Sequence, residues 1–151
     1  MTSSVYTKIM VATDGSEPVR RAVETAVEIA KISGAKLYGV YVIAYWRPLI
    51  AYPRDVGWER ATLEHFRAEG KEATAYVENS AKAENIEVES VLLEGDPASE
   101  IVDFAEENNI DLIVMGTHGR TGFQKFLLGS VAERVVRHSK KAVLVVRGKT
   151  V

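Results

Sequence analysis

The stretch Asp111-Leu-Ile-Val-Met-Gly-Thr-His-Gly-Arg-Thr-Gly-Phe-Gln-Lys-Phe-Leu-Leu-Gly-Ser130 decides the fold. Its first five residues read as a central strand: a short apolar run, rich in branched side chains, that both faces of a sheet can bury. Glycines follow at 116, 119, 122 and 129, and a helix is expected around Ser130 to His138. Strand, glycine-rich turn and helix in that order are the parts from which an open parallel sheet builds a ligand site at its carboxyl ends.

Outward from this stretch the same rhythm repeats. Lys8-Ile-Met-Val-Ala-Thr13 is strand-like and ends in Asp14-Gly15-Ser16, a turn signal. Ser16 reads as the cap of a first helix with Pro18 in its first turn, and Val19, Val23, Ala26 and Ala30 recur at helical spacing. Gly34 stops that helix, and Lys36 to Ala44 supplies a second strand. Trp46 to Gly57, with Pro48 and Pro53, reads as an irregular crossover or lid.

From Trp58 to about Ala83 the positions of Leu63, Phe66, Ala73, Val77 and Ala81 predict a helix, despite Gly70 within it. Ile86 to Leu93 alternates as a third strand whose charges belong near a sheet edge. Asp96 and Pro97 open the next helix as cap and first residue, with Ile101, Val102 and Ala105 as its inner stripe and Asn108-Asn109 as its end. Ala142 to Val146 forms the last strand. Five strands alternating with helix-length crossovers imply an α/β fold with a parallel sheet covered on both faces.

At 151 residues, 46% hydrophobic and 26% charged, the chain fits one folded domain over residues 1–151. Nineteen basic residues against 21 acidic ones leave a formal charge of -2, which provides no global field for a nucleic acid or an anionic membrane. The absence of cysteine removes disulfides, thiolate metal sites and a cysteine nucleophile. The amino terminus does not read as a signal peptide, and no run approaches the roughly 20 apolar residues of a membrane span. A cytoplasmic protein is expected.

The glycine segment would expose backbone N–H groups to an anion, and Gly129-Ser130 adds amides at a helix start and a hydroxyl. The same glycines equally suit a flexible loop or close helix packing. No Gly-Lys-Ser/Thr triplet completes a P-loop, and no Gly-x-Gly-x-x-Gly follows the first strand. Asp14, after the first strand, suits either a hydrogen bond to a ligand or an Asx-turn.

The segment as a whole resembles the nucleotide-binding branch of the universal stress protein family. Gly116, Gly119, Gly129 and Ser130 meet its signature of glycine, two residues, glycine, nine residues, glycine and serine or threonine. Ile9 to Ser16, Gly95-Asp96-Pro97 and Val143 to Arg147 carry the resemblance along the chain. It implies a Rossmann-like three-layer sandwich whose five-stranded parallel sheet has the order 3-2-1-4-5, a homodimer, and ATP at the strand ends, with ADP or AMP as other ligands. It also implies roles: Asp14 beside adenine and ribose, Val42 against adenine, and Gly116, Gly119, Gly129 and Ser130 around ribose and phosphates. Met115 and Val131 would line the same pocket, and magnesium or manganese would arrive with the phosphates.

Other residues read less specifically. His65, His118 and His138 lack ligand spacing, so no protein-held metal site is expected. Arg120 and Lys125 suit phosphate neutralisation or simple solvation. Tyr45, Trp46 and Trp58 suit a protein contact or packing of the crossover. The short apolar strand at Ala142 to Arg147 suits an edge-to-edge homodimer. The functions that follow are an ATP-binding stress-response regulator acting on a conformation or an unknown protein partner, a slow metal-dependent ATPase, or a nucleotide-independent dimeric interaction protein.

Overall fold

A computed structural model describes residues 5–44, 56–117 and 128–148. The chain runs β1 (Lys8–Ala12), a 3-10 turn (Glu17–Val19), α1 (Arg20–Ser33), β2 (Lys36–Ile43), α2 (Val56–Lys82), β3 (Val88–Glu94), α3 (Pro97–Glu107), β4 (Leu112–Gly116), α4 (Ser130–His138) and β5 (Ala142–Val146). The strands form one sheet in the order β3-β2-β1-β4-β5, every pairing parallel. The 3-2-1-4-5 order puts β1 at the centre and the charged β3 at an edge, as its alternation predicts.

Period-two alternation in the central strands divides the core. Ile9 and Val11 of β1 face α1 and α2, packing with Val23, Ala26, Val77 and Ala81. Met10, between them, faces α3 and α4 and joins Ile101, Ala105, Ala132 and Val135. Burying each such aliphatic side chain contributes roughly 1.5–3 kcal/mol, which is why β1 and β4 tolerate no polar residue in their interiors. In α3, Ile101 and Ala105 are buried as expected and Ala98 joins them, while Val102 is half-buried at the margin.

The glycine inside α2 has a packing reason. A Cβ on Gly70 would come within 2.8 Å of Leu92 and Tyr41, and one on Gly39 within 2.9 Å of Val77. Helix and strand therefore approach through two missing side chains, which offsets the cost of about 1 kcal/mol that glycine brings to a helix.

The first helix starts later than Ser16 predicts. Ser16 precedes the 3-10 turn, its side chain makes no capping bond, and α1 begins at Arg20. Pro18 removes one of the two N–H groups that a serine cap can use, and the buried Ser16 hydroxyl makes no hydrogen bond. Gly57 belongs to the first turn of α2 rather than to an irregular crossover, at a position whose N–H needs no intrahelical partner. Val56 likewise belongs to α2, and residues 46–55 of that crossover, with Tyr45 before it, lie outside the described residues. Among the described residues no helix is long and apolar enough to cross a membrane.

Candidate functional site

β1 leaves the sheet through a turn closed by its own side chains. The Thr13 N–H donates to the Val40 carbonyl at 2.9 Å, which extends the ladder by one residue. Thr13 Oγ1 then accepts from the Gly15 N–H at 3.0 Å, and Asp14 Oδ1 accepts from the Ser16 N–H at 2.8 Å. The Asx-turn is thus realised, and Gly15 sits at φ 79°, where glycine is favoured. On the other side of the centre, β4 ends at Gly116, and the Gly129 N–H donates to the Thr117 carbonyl at 2.6 Å. That bond returns the chain to the end of β4 just where α4 begins.

Between these two exits lies a cavity of about 340 Å³. Asp14, Val42, Met115, Gly116, Gly129, Ser130 and Val131 all line it. Gly119, along with His118, Arg120 and Lys125, lies outside the described residues. The lining is divided by the strand order. Val40, Val42 and Ala44 on the β2 side, with Phe66 of α2, make an apolar end. Gly116, Gly129 and Ser130 stand on the β4 side, two strand spacings or roughly 10 Å away. An apolar plate at one end and amides at the other suit a ligand with an aromatic group and an anion.

Sequence reasoning missed several lining residues. Tyr41 falls within the second strand and Phe66 reads only as an apolar helix position, while nothing in the sequence singles out Glu69. The spacing of Phe66 and Glu69 on one face of α2 was the available signal; which strand end that face meets was not. Asp14 and Glu69 are the charged side chains among the described lining residues, and His65 Nε2 lies 3.3 Å from Glu69. A second groove of about 410 Å³ lies between α1 and α2 and shares Thr13 and Glu69 with the first. None of the expected site residues lines it.

Two helices begin beside the first cavity. At α3, Asp96 Oδ2 accepts from the Ser99 N–H at 3.1 Å and its hydroxyl at 2.8 Å, the cap that the sequence predicts. Arg134 of α4 meets the same carboxylate through both guanidinium nitrogens, at 2.9 and 2.8 Å. The Arg134 and Ser99 hydrogen bonds hold the Asp96 carboxyl well below the usual carboxylate range. At α4 the N-cap is Gly129, which has no side chain with which to satisfy the first amides. Its φ of -59° and ψ of 156° are open to any residue, so the glycine matters there for the side chain it lacks.

Among the described residues no three His, Cys, Asp or Glu side chains come together as a metal site. The family model described as the universal stress protein family matches residues 5–147. Universal stress protein MJ0531 of Methanocaldococcus jannaschii is 42% identical over 144 residues, covering 95% of this chain and 84% of its own. A solved universal stress protein in complex with cAMP is 31% identical, with a TM-score of 0.66 over 94% of this chain and 97% of that one. The universal stress protein from Archaeoglobus fulgidus in complex with dAMP is 28% identical, with a TM-score of 0.69 over 95% and 99% of the two chains.

Proposed function

Because the chain belongs to the universal stress protein family, we propose that it binds an adenine nucleotide in the 340 Å³ cavity. In this reading it is a cytoplasmic stress-response regulator in which nucleotide occupancy controls conformation or partner binding, and residues 1–151 form one nucleotide-binding domain. The observation that carries the reading is the beginning of α4: amides without a side-chain cap, at the rim of a cavity whose other end is apolar. Amides at a helix start receive phosphate readily, because unpaired N–H groups and the helix dipole both favour negative charge. The neighbours bound to cAMP and dAMP support the nucleotide class.

Val42 would cover the base, and Asp14 would accept hydrogen bonds from the ribose through its carboxylate. Gly116, Gly119, Gly129 and Ser130 would surround ribose and phosphates, with Met115 and Val131 beside them. The donor set on the β4 side is made of amides and a hydroxyl, which suits a phosphate rather than a bare cation. Magnesium or manganese would accordingly be held by the nucleotide's phosphates, where it partly neutralises their charge.

The test is denaturing release of small molecules from freshly purified protein, followed by mass spectrometry and by titration with ATP, ADP, AMP, cAMP and GTP. An adenine nucleotide in the released fraction, or saturable binding of one, is expected. Neither release nor binding at millimolar concentration sinks the reading.

Assembly belongs to the same proposal. β5 is an edge strand, and Val143 to Val146 are all half-buried, whereas the β3 edge carries exposed Glu89 and Glu94. An apolar edge with unpaired backbone groups suits pairing with a second copy through Ala142 to Arg147. A monomer mass that stays constant across the micromolar range in analytical ultracentrifugation would exclude the homodimer.

A further inference from the structure

We propose that Asp96 and Arg134 form a clasp that positions the amides of α4 for phosphate, which makes both of them positioning residues for ligands that carry a phosphoryl group. The proposal rests on the nucleotide reading and adds to it a pair that the glycine and serine signature does not contain.

The two residues are 38 apart in sequence and meet at the cavity's rim. Asp96 immediately precedes Pro97, a lining residue, and Arg134 lies one helical turn beyond Ser130, another. The contact uses both guanidinium nitrogens and both carboxylate oxygens, at 2.9 and 2.8 Å. A planar fork of this kind restricts orientation as well as distance, which a single-point ammonium contact does not.

Asp96 is itself fixed. Its Oδ2 holds the first turn of α3 through Ser99. Below the clasp, Ala98 and Ile101 of α3 share a core cluster with Ala132 and Val135 of α4. The helices are therefore joined by apolar packing underneath and by the clasp at the end that faces the cavity. The Arg134 and Asp96 side chains are 46% and 47% exposed, a range in which ion pairs contribute little to stability. Geometry is the larger consequence. Hydrogen bonds from the Ser130 and Val131 N–H groups to a phosphate weaken steeply with misalignment, so rotation of the first turn of α4 would reduce both at once. The base end, built on β2 and α2, does not depend on this contact.

The test measures dissociation constants for adenosine, AMP and ATP by calorimetry, with thermal melting, in the parent and in Arg134→Met, Arg134→Lys and Asp96→Asn. Asn preserves a good helix cap while removing the charge. The expected result is a loss of about tenfold for AMP and ATP in Arg134→Met and Asp96→Asn, with adenosine within about twofold of the parent. Arg134→Lys should fall between, because it restores the charge without the fork.

Equal losses for adenosine and the phosphorylated ligands would mean that the pair acts only on the whole structure, and would overturn the proposal. So would tighter phosphate binding by Asp96→Asn, which would make Arg134 a direct contact restrained by Asp96. Parent-like affinities in every variant would also overturn it. Failure of the parent to bind any adenine nucleotide would instead remove the reading on which the clasp rests.

Discussion

α3 and α4 begin side by side at the rim of one cavity, and they begin differently. At α3 the first turn is satisfied from within by Asp96, which Ser99 and Arg134 hold in place. At α4 the corresponding position is Gly129, and the first residue, Ser130, is exposed. Local helix stability favours a cap at both, since Asp, Asn and Ser are better N-caps than glycine. The difference shows which helix end completes its own hydrogen bonding and which presents it outward. In the proposed reading it also separates two tasks: α3 would anchor, and α4 would receive the phosphate.

Transplanting the cap should have the largest effect. Gly129→Asp fits the observed backbone angles and would give α4 an acceptor like the one α3 already has. Melting temperature should stay at or slightly above the parent value, because an aspartate cap exceeds a glycine cap by a few tenths of a kcal/mol. Affinity for ATP and AMP should drop by more than tenfold, at least about 1.4 kcal/mol, since the new carboxylate takes the amides and repels the phosphate. Adenosine should respond much less. Calorimetric titration beside a thermal melt checks both halves; ATP bound as tightly as by the parent would mean that the start of α4 is not the anion site.

Removing the existing cap should come next. Asp96→Ala deprives α3 of its acceptor and Arg134 of its partner, at a cost of about 1–2 kcal/mol in unfolding free energy at pH 7. The pH dependence follows from the depressed carboxyl of Asp96. A group whose folded pKa lies below its unfolded one stabilises the fold above the unfolded value, roughly pH 4, and loses that contribution as pH falls through the folded value. The gap between parent and variant should therefore be widest at neutral pH and shrink below about pH 4. Asp111 is also depressed: against partial desolvation, it accepts from the Thr7 and Lys8 N–H groups and the Thr7 hydroxyl. It is present in both proteins, so it cancels in the difference. Urea unfolding between pH 7 and pH 2 measures the gap, and a gap independent of pH would contradict the clasp's ionic character.

These two helix starts also mark how far the sequence can be read. The α3 cap was legible because its parts, Asp96 and Pro97, are adjacent and their chemistry is local. Ser16 offered a similar local pattern and misled, because Pro18 removes one of the two N–H groups a cap can use and a 3-10 turn intervenes before α1. The strands were legible from short runs of Val and Ile, yet periodicity implied only a parallel sheet; the order 3-2-1-4-5 came from the family resemblance. Gly70 read as a flaw in a helix, since the side chains that require it, Tyr41 and Leu92, lie on other elements. Phe66, Glu69 and Arg134 were illegible as rim or lining residues for the same reason. A helical face can be read from spacing, whereas the strand end or helix end that it meets is a property of the assembled sheet.

The smallest effect should come from Ser130→Ala. The variant leaves every α4 amide in place and removes one exposed hydroxyl, so it tests whether the backbone or the side chain dominates at the receiving helix. A hydrogen bond of this type is worth about 1 kcal/mol, close to fivefold in affinity, for ligands that carry a phosphate. Helix stability should barely change, because Ser130 is the first residue of α4 and not its cap. A fivefold loss for AMP and ATP, with adenosine unchanged, would put most of the phosphate recognition on the amides that Gly129 leaves open. A loss as large as that in Gly129→Asp would reverse the assignment: the hydroxyl would then be the principal donor, and the contrast between a capped and an uncapped helix would no longer account for where the anion binds.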